Sequence, residues 1–344
     1  MENLIEIRNL SKTFRIRRGG FFTRETVLNH AVRDISVDIR KGEILGCVGG
    51  SGSGKSTLGR MILRLIEADG GSITHGGRDL RRLSAEELRQ HRRRAQIVFQ
   101  DPLQSLNPRR TVAENVARPM LNFGMAPSAA ARRVDELLEM VGLDPRQAHR
   151  YPHEFSGGQC QRIAIARALA LEPEFLFLDE PVSALDVSIQ AQILNLLQRL
   201  QKELGLTYLF VSHDLKIVRE FCDRTMVMYR GKLLESGGSD EVYRAPLHPF
   251  TQDFLGTVLH LRRDGRWERA AERAEDLEGA PPPIASEHCP YVTNCTHRLD
   301  RCMTADPALL PAGDERAVAC FLHDPRSAAQ PQENHKPTPT GVSA

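Results

Sequence analysis

Residues 49–56 read GGSGSGKS, a full match to G-x-x-x-x-G-K-S/T. This order of residue types suits phosphate chemistry. Glycines let the backbone wrap closely round phosphate oxygens and turn N–H groups inward. A lysine at the start of the next helix can reach the β- and γ-phosphates, and the hydroxyl beside it can ligate Mg2+. Gly49, Gly50, Ser51, Gly52, Ser53, Gly54, Lys55, Ser56 and Thr57 are therefore the candidate phosphate cradle, with Ser56 a Mg2+ ligand. A second constellation lies far downstream. FLFLDE, residues 175–180, is an apolar run that ends in two acids, Asp179 and Glu180. At the C-terminal edge of a parallel sheet, where ligands of such sheets bind, Asp179 becomes a second Mg2+ partner. Glu180 then stands one residue on, suited to orient or deprotonate an attacking water. Alone the apolar run says little; paired with the phosphate loop it reads as a nucleotide-hydrolysing site.

A third motif is FSGGQ, residues 155–159, followed by a helical segment. Ser-Gly-Gly at a helix start is another anion-binding nest. A plain helix cap explains Ser156 but not Gly157, Gly158 and Gln159. One ATP does not need two such nests from one chain.

The elements that must hold these motifs can be read from periodicity. Residues 43–48 form a short buried strand before the phosphate loop. An amphipathic helix follows it, with Leu58, Ile62, Leu65 and Ile66 on one face. Ile5, Ile7, Val32, Ile35, Val37 and Ile39 alternate as antiparallel strands, with residues 15–30 as a long hairpin loop. Residues 78–94 carry seven arginines against three acids and read as a solvated charged helix face. Residues 112–170 are mainly helical, and Ile189, Ile193, Leu196, Leu197, Leu200 and Leu204 keep helical spacing. Apolar strands at 175–178 and 206–211 alternate with these helices, which implies a mostly parallel sheet covered by helices. Beyond about residue 239 the pattern changes. Residues 267–278 read as a mixed-charge helix, 279–284 (GAPPPI) as a proline linker, and the polar stretch from 327 as a disordered tail.

Composition sets outer limits. The 344 residues are 41% hydrophobic and 26% charged, which fits two globular domains or one with an appendage. Forty-six basic against 44 acidic residues give a net charge of +2, which argues against a dedicated nucleic-acid binder. No apolar run reaches the roughly 18 residues that cross a bilayer. The N-terminus mixes charges into its apolar residues and is not a secretory signal. The sequence therefore predicts a cytoplasmic protein, with any membrane role coming through a partner.

Together the motifs resemble the ATP-binding subunits of ABC transporters, over about residues 4–237. FSGGQ is similar to that family's signature motif, with Phe155 where Leu is usual. Gln100 in VFQDP resembles the Q-loop glutamine, Asp186 in SALD the D-loop aspartate, and His213 in LFVSHD the switch histidine. Phe14 sits where the family places an aromatic against adenine, in preference to Phe21 or Phe22. VFQDPLQSLNPRRTV, YPHEFSGGQCQRIAIARALALEP and PLHPFTQ resemble the dipeptide/oligopeptide/nickel importer branch. TLGRMILRLIEADGG and SLNPR resemble its second ATPase type. Gly50 departs from the usual acidic residue in the phosphate loop, and Cys160 stands where arginine is common. Neither departure removes a catalytic group.

The resemblance implies an α/β fold of the P-loop NTPase, ABC ATPase type. It has a mixed sheet, an antiparallel β subdomain and a helical subdomain, plus a small irregular C-terminal extension. It implies a nucleotide-binding domain over 1–237 with its helical part at about 102–168, an extension over 238–326, and a tail over 327–344. It implies ATP and Mg2+ as cofactors, with Ser56, Gln100 and Asp179 at the metal. Catalysis falls to Glu180, His213 and Gln100. Two subunits would pair head to tail, so that Ser156, Gly157, Gly158 and Gln159 contact ATP held by the partner and Asp186 crosses the seam. The implied partners are a second, different ATPase, two membrane permease subunits and an external solute-binding protein, at the cytoplasmic face of the plasma membrane. Peptides are the favoured cargo; nickel, glutathione and sugars stay open. A soluble ABC ATPase acting on nucleic acid or ribosomes is the competing reading. Its translation-factor relatives carry two cassettes. Its DNA-repair relatives carry a long insertion, whereas only about 124 residues separate Lys55 from Asp179 here. A redox-regulated assembly ATPase is a third.

Seven cysteines without a secretory signal do not read as a disulfide framework. Cys47, Cys160 and Cys222 are isolated and read as packing or incidental residues. Cys289, Cys295, Cys302 and Cys320 are separated by five, six and seventeen residues. Four thiolates can hold Zn2+ or an iron–sulfur cluster. No C-x-x-C is present, and the wide spacing is easier to fit round a 4Fe–4S cluster than round zinc. Reduced structural cysteines are the plain alternative, and His288, His297 or His323 could enter the ligand set.

Overall fold

Alternating apolar residues carry the chain at once into two 16-residue strands, β1 (Asn3–Arg18) and β2 (Glu25–Arg40). The computed structural model describes residues 2–18, 25–256, 260–261, 267–268 and 288–325. Next come β3 (Ile44–Val48), helix α1 (Lys55–Ile62), β4 (Gly70–His75), β5 (Arg78–Asp79), α2 (Ala85–Arg94) and β6 (Ala95–Val98). A helical stretch holds α3 (Pro102–Ser105), α4 (Val112–Asn122), α5 (Pro127–Met140) and α6 (Gly157–Leu169). Then β7 (Phe175–Asp179), α7 (Val187–Leu204), β8 (Thr207–Ser212), α8 (Leu215–Phe221), β9 (Arg224–Tyr229) and β10 (Lys232–Gly238) alternate. The chain continues through α9 (Ser239–Arg244), α10 (Pro249–Gly256) and the short strands β11 (His260–Leu261), β12 (Trp267–Glu268), β13 (Leu310–Pro311) and β14 (Ala317–Val318).

One sheet runs β2-β1-β4-β5 and is antiparallel. The other runs β13-β14-β10-β9-β3-β8-β7-β6, parallel from β6 to β9 and antiparallel beyond. Successive strand side chains point to opposite faces. β7 therefore sends Phe175 and Phe177 into a core shared with α1 and the antiparallel sheet, and Leu176 and Leu178 into a core shared with the helices. The central strands are buried on both faces, which is why they read as unbroken apolar runs. Helix starts follow local chemistry. Ser84, Thr111 and Ser156 each form a reciprocal capping box, with Glu87, Glu114 and Gln159 respectively.

Three expectations are corrected. Residues 15–30 are not all loop: pairing continues from Thr13↔His30 out to Arg18↔Glu25. Ile16 and Leu28 on this arm are exposed, so backbone pairing holds it and burial left no alternating signal. The helix after the phosphate loop stops at Ile62, because Arg64 adopts a left-handed φ of 51°. Leu65 is consequently exposed. Trp267 and Glu268 pair with Leu261 and His260 in a strand, not a helix; the rest of 267–278, the proline segment, the tail and Phe21–Phe22 lie outside the described residues.

Candidate functional site

The phosphate loop joins β3 to α1 at the C-terminal edge of the parallel strands. Two of its glycines are required by close approach. A Cβ on Gly49 would fall 2.1 Å from the Met228 carbonyl oxygen, and one on Gly54 would fall 2.0 Å from that of Ala31. Gly54 also has φ of 102° at the helix cap. Gly50 has open space around it, so no steric demand accounts for glycine there. Ser51 and Gly52 are exposed, Ser53 is buried, and Thr57 is half-buried in the first helical turn. Lys55 is buried, and its Nζ donates to the carbonyls of Gly49 (2.7 Å) and Gly50 (2.8 Å).

Helix α1 lies flat on β7. A Cβ on Gly59 would meet the Phe177 ring at 2.2 Å, so only glycine permits this approach. One turn earlier, Ser56 Oγ donates to Asp179 Oδ1 at 2.6 Å. Two hard oxygen donors thus share one spot, as Mg2+ requires. Arg60 Nη2 also reaches Asp179 Oδ2, at 3.4 Å. Sequence reasoning missed Arg60, although its place four residues after Ser56 puts it on the same helix face.

Beyond β7 the backbone turns sharply, with Glu180 at φ of 49°. A non-glycine residue in this conformation is strained, and such strain gathers at functional sites. Three other elements meet Glu180 there. His213 Nδ1, after β8, lies 3.2 Å from its Oε2. Gln100, after β6, donates from Nε2 to the same Oε2 at 3.3 Å and to Ser183 Oγ at 3.3 Å. Ser183, inside the quoted SALD segment, was not among the candidate residues. Asp186 occupies the N-cap position of α7 without a side-chain capping bond and is exposed. Phe14 is half-buried on β1, with Lys12 Nζ 5.5 Å from its ring centre.

Ser156 and Gln159 bond to each other rather than to this cluster: Gln159 N donates to Ser156 Oγ at 3.3 Å, and Ser156 N to Gln159 Oε1 at 2.9 Å. Ser156 and Gly157 are exposed. Gly158 has a packing reason, since a Cβ there would fall 2.5 Å from Ile189 Cγ2.

A family profile described as ABC transporter matches residues 32–183, and one described as oligopeptide/dipeptide transporter, C-terminal region, matches 234–302. The oligopeptide transport ATP-binding protein AppF of Bacillus subtilis is 46% identical over 94% of this chain and 98% of its own length. The chain belongs to the ATP-binding subunits of ABC transporters. OppF of the same organism, also described as an oligopeptide transport ATP-binding protein, is 53% identical over 75% of this chain and 83% of its own length. Among solved structures, CbiO1 of Clostridium perfringens, part of an ABC transporter complex, aligns with a TM-score of 0.62 at 30% identity. That alignment covers 71% of this chain and 92% of CbiO1. The ATP-binding cassette MJ0796, solved as a dimer with ADP and phosphate, gives 0.60 at 31% identity over 68% and 98%. The α/β ABC ATPase fold is thereby established, and the protein is an ATP hydrolase of a family that works with ATP and Mg2+ and docks on membrane permeases. Among the described residues no helix is long and apolar enough to cross a membrane.

The cysteines of this ABC ATPase are all free thiols. Cys289, Cys295, Cys302 and Cys320 line one small cavity together with His248. Burial pushes the Cys289 thiol up to about 12 and Cys320 up to about 11, and neighbouring thiols add to both. Among the described residues no three His, Cys, Asp or Glu side chains form a group that could hold a single metal ion. His288, His297 and His323 do not change this.

The electrostatics of the Glu180–His213 contact fix a pH window. The hydrogen bond to Glu180 raises His213 above its ordinary value, against partial burial. The same bond lowers Glu180, with Lys55 adding to the effect and burial opposing it. The raised histidine contributes stability below its unfolded pKa of about 6.5 and loses it as pH rises through the folded value. The lowered glutamate contributes above its unfolded value and loses it as pH falls through the folded one. The contact is therefore strongest between those two folded values. In Glu180→Gln the NMR titration midpoint of His213 will fall back toward about 6.5; an unchanged midpoint means the pairing does not form.

Proposed function

We propose that this subunit powers the import of di- or oligopeptides. It pairs head to tail with a different ATP-binding subunit at the cytoplasmic face of the plasma membrane, beneath two permease subunits fed by an external peptide-binding protein. The observation that carries the cargo assignment is the peptide-transporter C-terminal region over 234–302, joined to similarity with AppF along nearly the whole of both chains. The competing nucleic-acid reading accounts for neither. The nucleotide-binding unit is read as 1–237 with a helical part at about 102–168, followed by the extension over 238–326.

The site residues take these roles. Loop N–H groups, the α1 N-terminus and Lys55 hold the β- and γ-phosphates. Ser56 and Asp179 would hold Mg2+, which would neutralise developing charge on the phosphates, and Gln100, bonded to Glu180 beside them, would complete the metal's ligand set. Glu180 is held ionised by His213, so it can accept a proton from water. Gln100 bonds Glu180 and Ser183 at once, which suits a residue reporting nucleotide state to the permease. Ser156, Gly157, Gly158 and Gln159 cap ATP on the partner, with Ser156 and Gly157 exposed to meet it, and Asp186 crosses the seam. Phe14 stacks on adenine. The γ-phosphate then holds two subunits closed, and its loss lets them part.

A second reading concerns the cysteine cavity. His248 Nδ1 accepts from Phe250 N–H at 2.9 Å, so a neutral ring carries its proton on Nε2. That Nε2 and the Tyr229 hydroxyl are buried with no partner among the described residues. Four thiols around one cavity beside two such polar groups suit an anionic sulfur cluster. The wide sequence spacing of the four cysteines, and the lack of any three-ligand group for a single ion among the described residues, favour 4Fe–4S over zinc. The cluster would staple a loop-rich module with little core of its own.

Glu180→Gln in the assembled transporter will keep ATP binding, trap the closed dimer and cut steady-state hydrolysis about 10²–10⁴-fold; near-normal turnover contradicts the role. Peptide-loaded binding protein will stimulate hydrolysis by the purified complex, whereas stimulation only by nickel- or sugar-loaded protein removes the cargo assignment. Anaerobically purified protein will contain iron and labile sulfide; a colourless, metal-free, stably folded sample removes the cluster.

A further inference from the structure

Among the described residues, one carboxylate of the C-terminal module, Asp306, reaches the two segments that flank the phosphate loop. Asp306 Oδ2 accepts from Arg33 Nη2 at 3.4 Å and also pairs with Lys232 Nζ. Arg33 belongs to β2 and Lys232 opens β10, strands of two different sheets. Their side chains are only 8% and 15% exposed. Without the carboxylate, two largely buried cations would face each other with no shared anion between them, and their repulsion would favour separating the two strands.

Both segments brace the phosphate loop through backbone atoms. Arg33 N–H donates to the Gly231 carbonyl at 2.7 Å, and Gly231 N–H donates to the Ser53 carbonyl at 3.0 Å. Ala31 O stands against Gly54, and a Cβ on Gly231 would fall 2.5 Å from His30 O. The loop, β2 and the β9–β10 turn are thus stacked backbone on backbone with no slack, so a shift in one must move the others.

We propose that Asp306 is a positioning residue for ATP. Its carboxylate clamps β2 to the β9–β10 turn, and that clamp keeps Ser53 and Gly54 in the backbone shape that receives the phosphates. The C-terminal module thereby sets nucleotide affinity from outside the ATPase fold. The inference rests on residues 49–56 being the ATP site. Two other ion pairs also tie the module down, Arg40–Glu315 and Glu235–Arg316, each at 2.7 Å. The first serves as a control, because Arg40 lies at the far end of β2 from the loop.

Binding of AMP-PNP with Mg2+ to the full chain is measured by calorimetry, and the KM and kcat for ATP in the assembled transporter. Asp306→Ala and Asp306→Asn weaken the analogue at least about fivefold, the low end for coupling between sites. They raise KM for ATP and leave kcat at saturation unchanged. Asp306→Glu restores affinity, and Glu315→Ala leaves it intact. Thermal melting without nucleotide checks that each variant is folded; if the alanine variant is not, the asparagine variant decides. Wild-type affinity in folded Asp306→Asn overturns the proposal, as does equal weakening in Glu315→Ala. Failure of the wild type to bind the analogue instead overturns the phosphate-loop reading.

Discussion

The close approach of α1 to β7 governs the geometry of the nucleotide site. Gly59 has no side chain to keep the helix off Phe177, and a Cβ there would overlap the ring at 2.2 Å. This brings the first turn of α1 down onto the end of β7, where Ser56 Oγ meets Asp179 Oδ1 at 2.6 Å. That contact fixes the hydroxyl at the start of α1 against the carboxylate at the end of β7. The loop must turn tightly enough to enter α1 at this position. Gly49 and Gly54 allow it, because Met228 O and Ala31 O occupy the space a side chain would need.

The Glu180 carboxylate is held by a different device. β7 ends at Asp179, and the left-handed turn at Glu180 swings its side chain toward the ends of β6 and β8. Those strands flank β7 in the sheet, so the residues that follow them, Gln100 and His213, arrive beside Glu180 by topology. The strain of that turn is sustained by the backbone bond from Glu180 N–H to Val211 O, at 3.1 Å, and by the buried strands on either side. His213 is 61% exposed, so its pairing with Glu180 sets protonation more than stability.

The signature turn is organised on another principle. Ser156 and Gln159 satisfy the start of α6 between themselves, which leaves Ser156 and Gly157 facing solvent. The C-terminal module, in contrast, is bound into the fold. β14 adds to β10 in the main sheet, and Glu235, fully buried, accepts bonds from Leu247 N, His248 N and Arg316. A buried carboxylate with this many donors fixes the module's orientation, because losing any donor leaves charge unsatisfied. The cysteine cavity is consequently fixed next to Tyr229, two residues before the turn that supports the phosphate loop.

How much of this could be read from the chain depends on the range of the interaction. The phosphate loop, the DE pair, the capping serines and the two-faced burial of β3 and β7 are written in contiguous residues, because local backbone geometry and sheet periodicity demand those residue types. The outer arm of β1 and β2 was hidden, since backbone pairing alone supports it and leaves no apolar pattern. The stop after Ile62 was hidden because Arg64 gives no sign of its left-handed turn. Ser183, Arg60 and Asp306 acquire their roles from residues on other elements: Gln100 lies 83 positions away, Asp179 119 and Arg33 273. No spacing rule reaches that far; only the order of strands in the sheet and the docking of the last module bring those charges and hydroxyls within bonding distance.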